Sequence, residues 1–330
     1  MKKKYIITGV SGQLGGRVAS IMLNEADPHE LIFTVPFMDH FDQQRKEAWE
    51  KAGVTVLEAN YDNYEQLLDV FKQGERVFFV SSIINGPKRV AQHKNVIDAA
   101  KEAGIEHITY TSFFGANREG YHQYVLEDHR PTEKMLRESG ISYNIMRDNL
   151  YMENYVTVSV ILANCSNYIW GTNAGEGKAT FIAKDDCARC GAALLLGRGK
   201  LNQDYDITSL TPISERDICE KIAKVSGLPY KYVPMSDEEF KKYLMDMHIP
   251  ETTDGDLSQS PVPFCTNDMV TNEKGIANSQ MGVVSHDVEK LTGHKPLTID
   301  DLIEEYKYVW QEKLTSIYQL HRGGEHNLKL

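Results

Sequence analysis

A doubly wound, parallel α/β sheet followed by a smaller mixed C-terminal unit is the fold class this sequence predicts. Two observations predict it. Six short runs rich in Val, Ile, Tyr and Phe alternate with segments of helical periodicity before residue 150. A glycine-rich turn, "TGVSGQLGG" at 8–16, joins the first run to the first helical segment. Such alternation implies right-handed crossovers between parallel strands, since each return to the sheet passes through a helix.

The strand runs are "KYIITG" (4–9), "LIFTV" (31–35), "VTVLEA" (54–59), "RVFFVSS" (76–82), "HITYTS" (107–112) and "YNIMRD" (143–148). Between them, "NYEQLLDVFKQG" and "RVAQHKNVIDAAKEAG" carry apolar residues at helical spacing and close on Gly. After Arg147 the alternation stops. "GKATFIAKDD" and "YDIT" read as further short strands, and "DDCARCGAALLLG" as a helix with Asp at its start. "SERDICEKIAKVSG" is a helix with Ser214 as N-cap, Asp217 in a capping-box position and Gly227 closing it. The stretch 250–268 is dense in Pro, Asp, Ser and Thr and reads as a long loop, either a lid or an inert insertion. In "LTIDDLIEEYKYVWQEKL", Ile299, Leu302, Ile303, Tyr306, Val309, Trp310 and Leu314 form one stripe of a single amphipathic helix. The expected organisation is a dinucleotide-binding unit over 1–150, with 178–200 packing back on it. A smaller substrate-binding unit follows over 151–177 and 201–318, and then a frayed tail at 319–330.

Composition excludes several function classes. The net charge of −11 disfavours a polyanionic partner such as nucleic acid. No apolar stretch approaches a membrane span, and the N-terminal apolar run is too short for a signal-peptide core, so a cytoplasmic protein is expected. Five cysteines do not make a disulfide framework. Cys187 and Cys190 lie one helical turn apart with no second pair to complete a zinc site, and read as structural. His122, Glu127, Asp128 and His129 lack the ordered spacing of metal ligands, so no metal is expected.

The glycine turn carries chemistry. Gly9, Gly12 and Gly15 allow a sharp turn, a close approach to a pyrophosphate and tight helix–strand packing. The helix start then offers free N–H groups to the phosphates. Glycines alone serve any tight turn; their place after the first of six alternating strands points to a dinucleotide. The residue that selects between cofactors normally ends the second strand, as an acid for ribose hydroxyls or an Arg for a 2′-phosphate. Pro36 and Phe37 stand there, with Asp39, Arg45 and Lys46 following, so NADP(H) and NAD(H) both remain open.

Taken together, "TGVSGQLGG", "VSSIINGPKRVAQHKNVIDAAKEAG", "HITYTSFFGA", "DHRPTEKMLRESGISYNIMRDNLYMENY" and "GEGKATFIAKDDCARCGAALL" resemble the NmrA-like atypical short-chain dehydrogenases, and within them the type-2 quinone oxidoreductases. The resemblance covers about residues 3–312, apart from the 250–268 loop. It implies a Rossmann domain and a small C-terminal domain, with NAD(P)H and substrate in the cleft between them. Carried over by position, Gly9, Ser11, Gly12, Gln13, Leu14 and Gly15 would line the pyrophosphate, and Ser81 and Ser82 would lie near the ribose. Thr111, Ser112 and Phe113 would face the nicotinamide, with Asn149 and Tyr151 after the sixth strand. The group commonly carries an Arg after the second strand; its replacement by Pro36 or Phe37 leaves the NADPH preference undecided.

Short-chain reductases usually place a catalytic Tyr, and a Lys four residues on, in the segment "EDHRPTEKML" (127–136). Here the spacing holds His129 and Glu133, on a helix that Asp128 is expected to cap and whose first turn holds Pro131. Lys134 is about 100° of helix rotation off that face. Reducing an ordinary ketone makes an alkoxide that needs a proton, whereas a quinone yields a delocalised anion. The vacancy therefore points to conjugated acceptors. His129 is the candidate acid; Glu133 reads as a helix-surface or cofactor-ribose contact. Phe113, Phe114, Tyr121, Tyr151, Tyr155 and Trp170 are candidates for sandwiching a flat substrate, and Lys178 reads as a strand-edge lysine. The expected function is an NAD(P)H-dependent reductase of a quinone-like small molecule, acting as a monomer or homodimer. A non-catalytic NAD(P)-binding sensor that controls a protein partner is the alternative.

Overall fold

The structure, a computed structural model, describes residues 4–320. The six expected strands are β1 (Tyr5–Ile7), β2 (Leu31–Val35), β3 (Thr55–Glu58), β4 (Arg76–Phe79), β5 (His107–Phe113) and β6 (Ser142–Asp148). The helices between them are α1 (Gln13–Glu25), α2 (Gln43–Ala52), α3 (Tyr64–Phe71), α4 (Pro87–Ala103) and α5 (Leu126–Glu138). Next come α6 (Met152–Val156), α7 (Val158–Cys165), β7 (Ile169–Thr172), β8 (Lys178–Ala179), α8 (Lys184–Leu195) and β9 (Gln203–Ile207). All pairings in the main sheet are parallel, in the order β3-β2-β1-β4-β5-β6-β9. The reversal of strand order beside β1 is that of the Rossmann fold, whose ligands bind at the carboxyl ends of the strands.

Both faces of this sheet are covered, which is why its strands read as nearly continuous apolar runs. Phe78 packs with Val18 of α1 and Leu194 of α8 on one face. Val77 and Phe79 pack with Leu67, Val96 and Leu136 on the other, as the two-residue period of a strand requires. Helix α8 lies against α1. The stretch assigned to the smaller unit differs from expectation in two places: β9 pairs with β6 and extends the main sheet, and Val288 and Leu291 pack in the core that holds Phe78 and Leu194.

The remaining elements are β10 (Ile213–Ser214), α9 (Glu215–Ser226), β11 (Lys231–Pro234), α10 (Asp237–Asp246), α11 (Thr266–Ala277), α12 (Asp287–Thr292), α13 (Ile299–Glu305) and α14 (Tyr308–Gln311). Most of them surround a separate core that includes Trp170, Ile218, Phe240, Ile276 and Trp310. Helix α9 carries the expected capping box, with Ser214 and Asp217 reciprocally bonded. The single C-terminal helix breaks into α13 and α14 at Tyr306 and Lys307, although every residue of the stripe from Ile299 to Leu314 is buried. The 250–268 stretch is irregular up to α11 and is tied down: Asn85 N donates to Thr253 Oγ1 at 2.9 Å, and Val262 is fully buried. The tail beyond residue 320 lies outside the described residues. Among the described residues no helix is long and apolar enough to cross a membrane.

Candidate active site

The glycine turn closes on itself. Gly9 has φ +64°, and a Cβ on Gly15 would stand 2.3 Å from the Gly9 carbonyl oxygen. Only glycine lets α1 sit this close to β1. Gly12 occupies the cap position, and no side chain bonds the first turn of α1, so its N–H groups face outward for an anion. Ser11, Gly12 and Gln13 are exposed there, whereas the Leu14 side chain turns into the sheet core and offers nothing to that face. The turn thus fits a pyrophosphate.

A cation that sequence reasoning missed stands beside this turn. Lys184, the first residue of α8, donates from Nζ to Gln13 Oε1, and its Nζ lies 5.2 Å above the Tyr151 ring. Burial pulls its ammonium down to about 8; Glu153 opposes the shift and Arg17 adds to it. Arg17 is held by Asp185 at 2.5 Å and by the Tyr306 hydroxyl at 3.2 Å. Tyr151 donates to Asp148 Oδ2 at 2.9 Å, and burial pushes that carboxyl up to about 7. No sequence signal could have joined Lys184 to Gln13, because 171 residues separate them and only the packing of α8 on α1 brings them together.

At the adenosine end, Phe37 points outward and is 53% exposed. A cation instead reaches the start of α1 from α2. The Arg45 guanidinium stacks 4.5 Å above the Trp49 ring, and its Nη2 would lie 3.0 Å from a Cβ on Gly16. It forms no ion pair among the described residues, and burial lowers its pKa. A half-buried cation beside the glycine turn is placed to meet an anion there.

The place of the usual Tyr and Lys holds two different networks. Helix α5 begins at Leu126, earlier than expected, and Asp128 does not cap it. Asp128 instead accepts from Gly86 N at 2.9 Å and faces Arg89 at 3.5 Å, so it ties α5 to the start of α4. Pro131 consequently lies inside the helix rather than in its first turn. Glu133 is not a surface or ribose contact. It is buried and accepts from Arg147 Nε at 2.9 Å, Arg147 Nη2 at 2.7 Å, Ser112 Oγ at 2.7 Å and Arg137 Nη2 at 3.1 Å. The Ser112 hydroxyl is thereby turned toward α5 and away from the nicotinamide face expected for it.

His129 is 5% exposed, with its ring 6.3 Å from that of Phe113 and nearly parallel to it. Its Nδ1 is 2.7 Å from the Tyr110 hydroxyl. Behind Tyr110, His93 contacts Thr132 through Nδ1 at 2.9 Å and accepts from Ser82 N at 3.0 Å through Nε2. Burial, with Arg89 adding to it, holds both imidazoles well below the ordinary histidine pKa. His129 is therefore neutral at physiological pH.

Other expected residues divide into two groups. Ser81, Ser82, Phe113 and Tyr151 are half-exposed at the carboxyl edge of the sheet, and Tyr121 is half-exposed beside Gly115. Thr111 is buried and accepts from Ser81 N at 2.8 Å. Phe114, Tyr155 and Trp170 are not pocket residues: they are buried in the core of the smaller unit. Tyr155 donates to Glu273 at 3.0 Å, and Trp170 Nε1 donates to Glu215 at 2.9 Å. Aromatics with a polar tip bury well wherever a partner is supplied. Asn149 is likewise a strap rather than a cofactor contact, with its amide spent on Thr180 Oγ1, the Met281 carbonyl and Leu150 N. Cys187 and Cys190 are buried in α8, and burial pushes both thiols up. Among the described residues no group of three His, Cys, Asp or Glu could hold a metal ion.

Three comparisons bear on this arrangement. The model of the NmrA-like family matches residues 1–305. The chain is 26% identical over 297 residues to quinone oxidoreductase 2 of Escherichia coli (strain K12), covering 90% of this chain and 96% of that one. It is also 26% identical over 245 residues to an NmrA-like family domain-containing oxidoreductase of Aspergillus flavus, covering 72% and 76%. Among solved structures it resembles an NADPH-dependent quinone oxidoreductase from Escherichia coli complexed with NADPH. That match has a TM-score of 0.79 and 25% identity, covering 91% of this chain and 99% of the other. It also resembles the Citrobacter sp. triphenylmethane reductase complexed with NADP(H), with a TM-score of 0.75 and 25% identity, covering 92% and 99%.

Proposed function

This chain belongs to the NmrA-like family, and on that premise we propose that it is an NAD(P)H-dependent reductase passing hydride to a quinone-like or otherwise conjugated acceptor. The observation that carries this reading is the burial of Glu133 against Arg147 at the usual lysine's place. The cations there, Arg147 and Arg137, are both spent on Glu133, and the phenol itself is replaced by a neutral imidazole. An acceptor that yields a stable, delocalised anion needs positioning more than it needs an acid. The names of the relatives, a quinone oxidoreductase and a triphenylmethane reductase, support conjugated acceptors.

The glycine turn and the start of α1 would hold the pyrophosphate, with Lys184 beside Gln13 adding positive charge. Ser81 and Ser82 would border the ribose. Arg45 favours NADPH, since a 2′-phosphate would give it the anion it lacks. Bound reduced nicotinamide supplies the hydride. Phe113 would wall the acceptor, and His129 would offer its oxygen a hydrogen bond. The test mixes purified protein with NADPH or NADH and a panel of quinones and triphenylmethane dyes, following absorbance of the reduced nicotinamide. Oxidation that depends on the acceptor is expected. Cofactor binding without turnover across the panel would replace this reading with that of a binding sensor.

A further inference from the structure

We propose that a buried relay running from the backbone of Ser82 through His93 and Tyr110 fixes His129 as the tautomer that carries its proton on Nε2. The inference rests on the reductase reading for its consequence, but on hydrogen-bond polarity for its content. Ser82 N is a backbone amide and can only donate, so His93 Nε2, at 3.0 Å, must be the bare acceptor nitrogen. A neutral imidazole then carries its single proton on Nδ1, and His93 is neutral because it is buried beside Arg89.

That N–H points at Thr132 Oγ1, 2.9 Å away. The threonine hydroxyl can accept it, because its own proton goes to the Asp128 carbonyl at 2.7 Å. Tyr110 is fully buried, and its hydroxyl needs an acceptor. Among the described residues its hydroxyl bonds directly only to the two imidazoles, and His93 Nδ1, at 3.5 Å, is already protonated. His129 Nδ1, at 2.7 Å, is the acceptor left. Tyr110 therefore donates to His129, and the imidazole proton resides on Nε2.

His129 Nε2 bonds to no described residue and keeps a small solvent-accessible surface, on a ring that lies against that of Phe113. The relay thus presents a neutral N–H donor to whatever lies there. Tyr110 and His93 are positioning residues: they touch no substrate and act through His129. The relay also starts at the backbone of the loop expected to border the ribose, so that loop and the donor are held by one network.

Two measurements test this. In protein labelled with ¹⁵N-histidine, the His129 resonances, identified by their loss in His129→Ala, should show a protonated Nε2 and a hydrogen-bonded, unprotonated Nδ1. A protonated Nδ1 overturns the proposal. The second measurement uses amide mimics of the two nitrogens. His129→Gln places an N–H donor where Nε2 stood, and His129→Asn places one where Nδ1 stood. His129→Gln should keep a kcat at least about fivefold above that of His129→Asn, and Tyr110→Phe should lower kcat about tenfold with the KM for NADPH unchanged. Equal or reversed Gln and Asn values, or an unaffected Tyr110→Phe, overturn it. Should the wild type oxidise neither cofactor, the functional reading falls, and the NMR measurement still decides the relay.

Discussion

Glu133 on α5 and Arg147 on β6 form a two-point ion pair, at 2.9 and 2.7 Å, and each residue is at most 5% exposed. The pair stands where short-chain reductases usually place a lysine, and it joins a helix to a central strand. Removing one partner of such a pair strands the other charge in the protein interior. Glu133→Ala should therefore lower stability by about 3 kcal/mol in urea unfolding. A loss below about 0.5 kcal/mol would mean that Asp204, 2.6 Å from Arg147, suffices alone.

Arg45 stacked on Trp49 beside Gly16 gives the cofactor test its sharpest form. Arg45→Ala should raise the KM for NADPH about tenfold or more while moving that for NADH less than twofold, as expected for loss of one charge-assisted phosphate contact. Equal effects on the two cofactors would place the 2′-phosphate elsewhere.

Lys184 should give the reaction an alkaline limb. Its ammonium is pulled down to about 8, so the charge beside Gln13 is present below that pH and is lost as pH rises through it. The kcat/KM for cofactor, which reports the free enzyme, should fall above about pH 8. Lys184→Arg should keep it flat to higher pH, because guanidinium does not titrate there. An unchanged limb in that variant would assign the limb to another group.

Asp148 makes a stability prediction with the opposite sense to an ordinary salt-bridged acid. Its folded pKa is raised to about 7, above the value of a carboxyl in the unfolded chain. Between those values the folded state holds a proton that the unfolded state releases, so stability falls as pH rises toward 7 and levels off above it. Asp148→Asn removes the titration. Its stability relative to wild type should rise between pH 4 and pH 8 by a few kcal/mol at most, at about 1.36 kcal/mol for each unit of pKa difference. Denaturant unfolding at the two pH values measures it. A gap independent of pH would mean that Asp148 is ionised in the folded state.

Local pattern made the scaffold legible. β2 occupies the very residues of "LIFTV", and the capping box of Ser214 and Asp217 lies where its residue types put it. Both features depend on neighbours a few positions apart. The ends of α5 and the C-terminal stripe were harder. Asp128 looks like a cap but is recruited by Gly86 and Arg89, and Tyr306 interrupts a helix that periodicity alone would continue. Aromatic content near the expected cleft misled for the same reason: whether Tyr155 and Trp170 line a pocket or fill a core depends on Glu273 and Glu215, far along the chain.

The sequence by itself determined the parallel sheet, the glycine turn against α1 and the absence of a Tyr and Lys pair, because each is written in residues close together. Only the tertiary structure decided what fills that absence. Arg147 neutralises Glu133, Lys184 reaches Gln13, Arg45 folds back over Gly16, and Tyr110 sits between His93 and His129. Charge pairing and hydrogen-bond polarity act over a few ångströms of space, and no spacing along the chain encodes that distance until the helices have packed on the sheet.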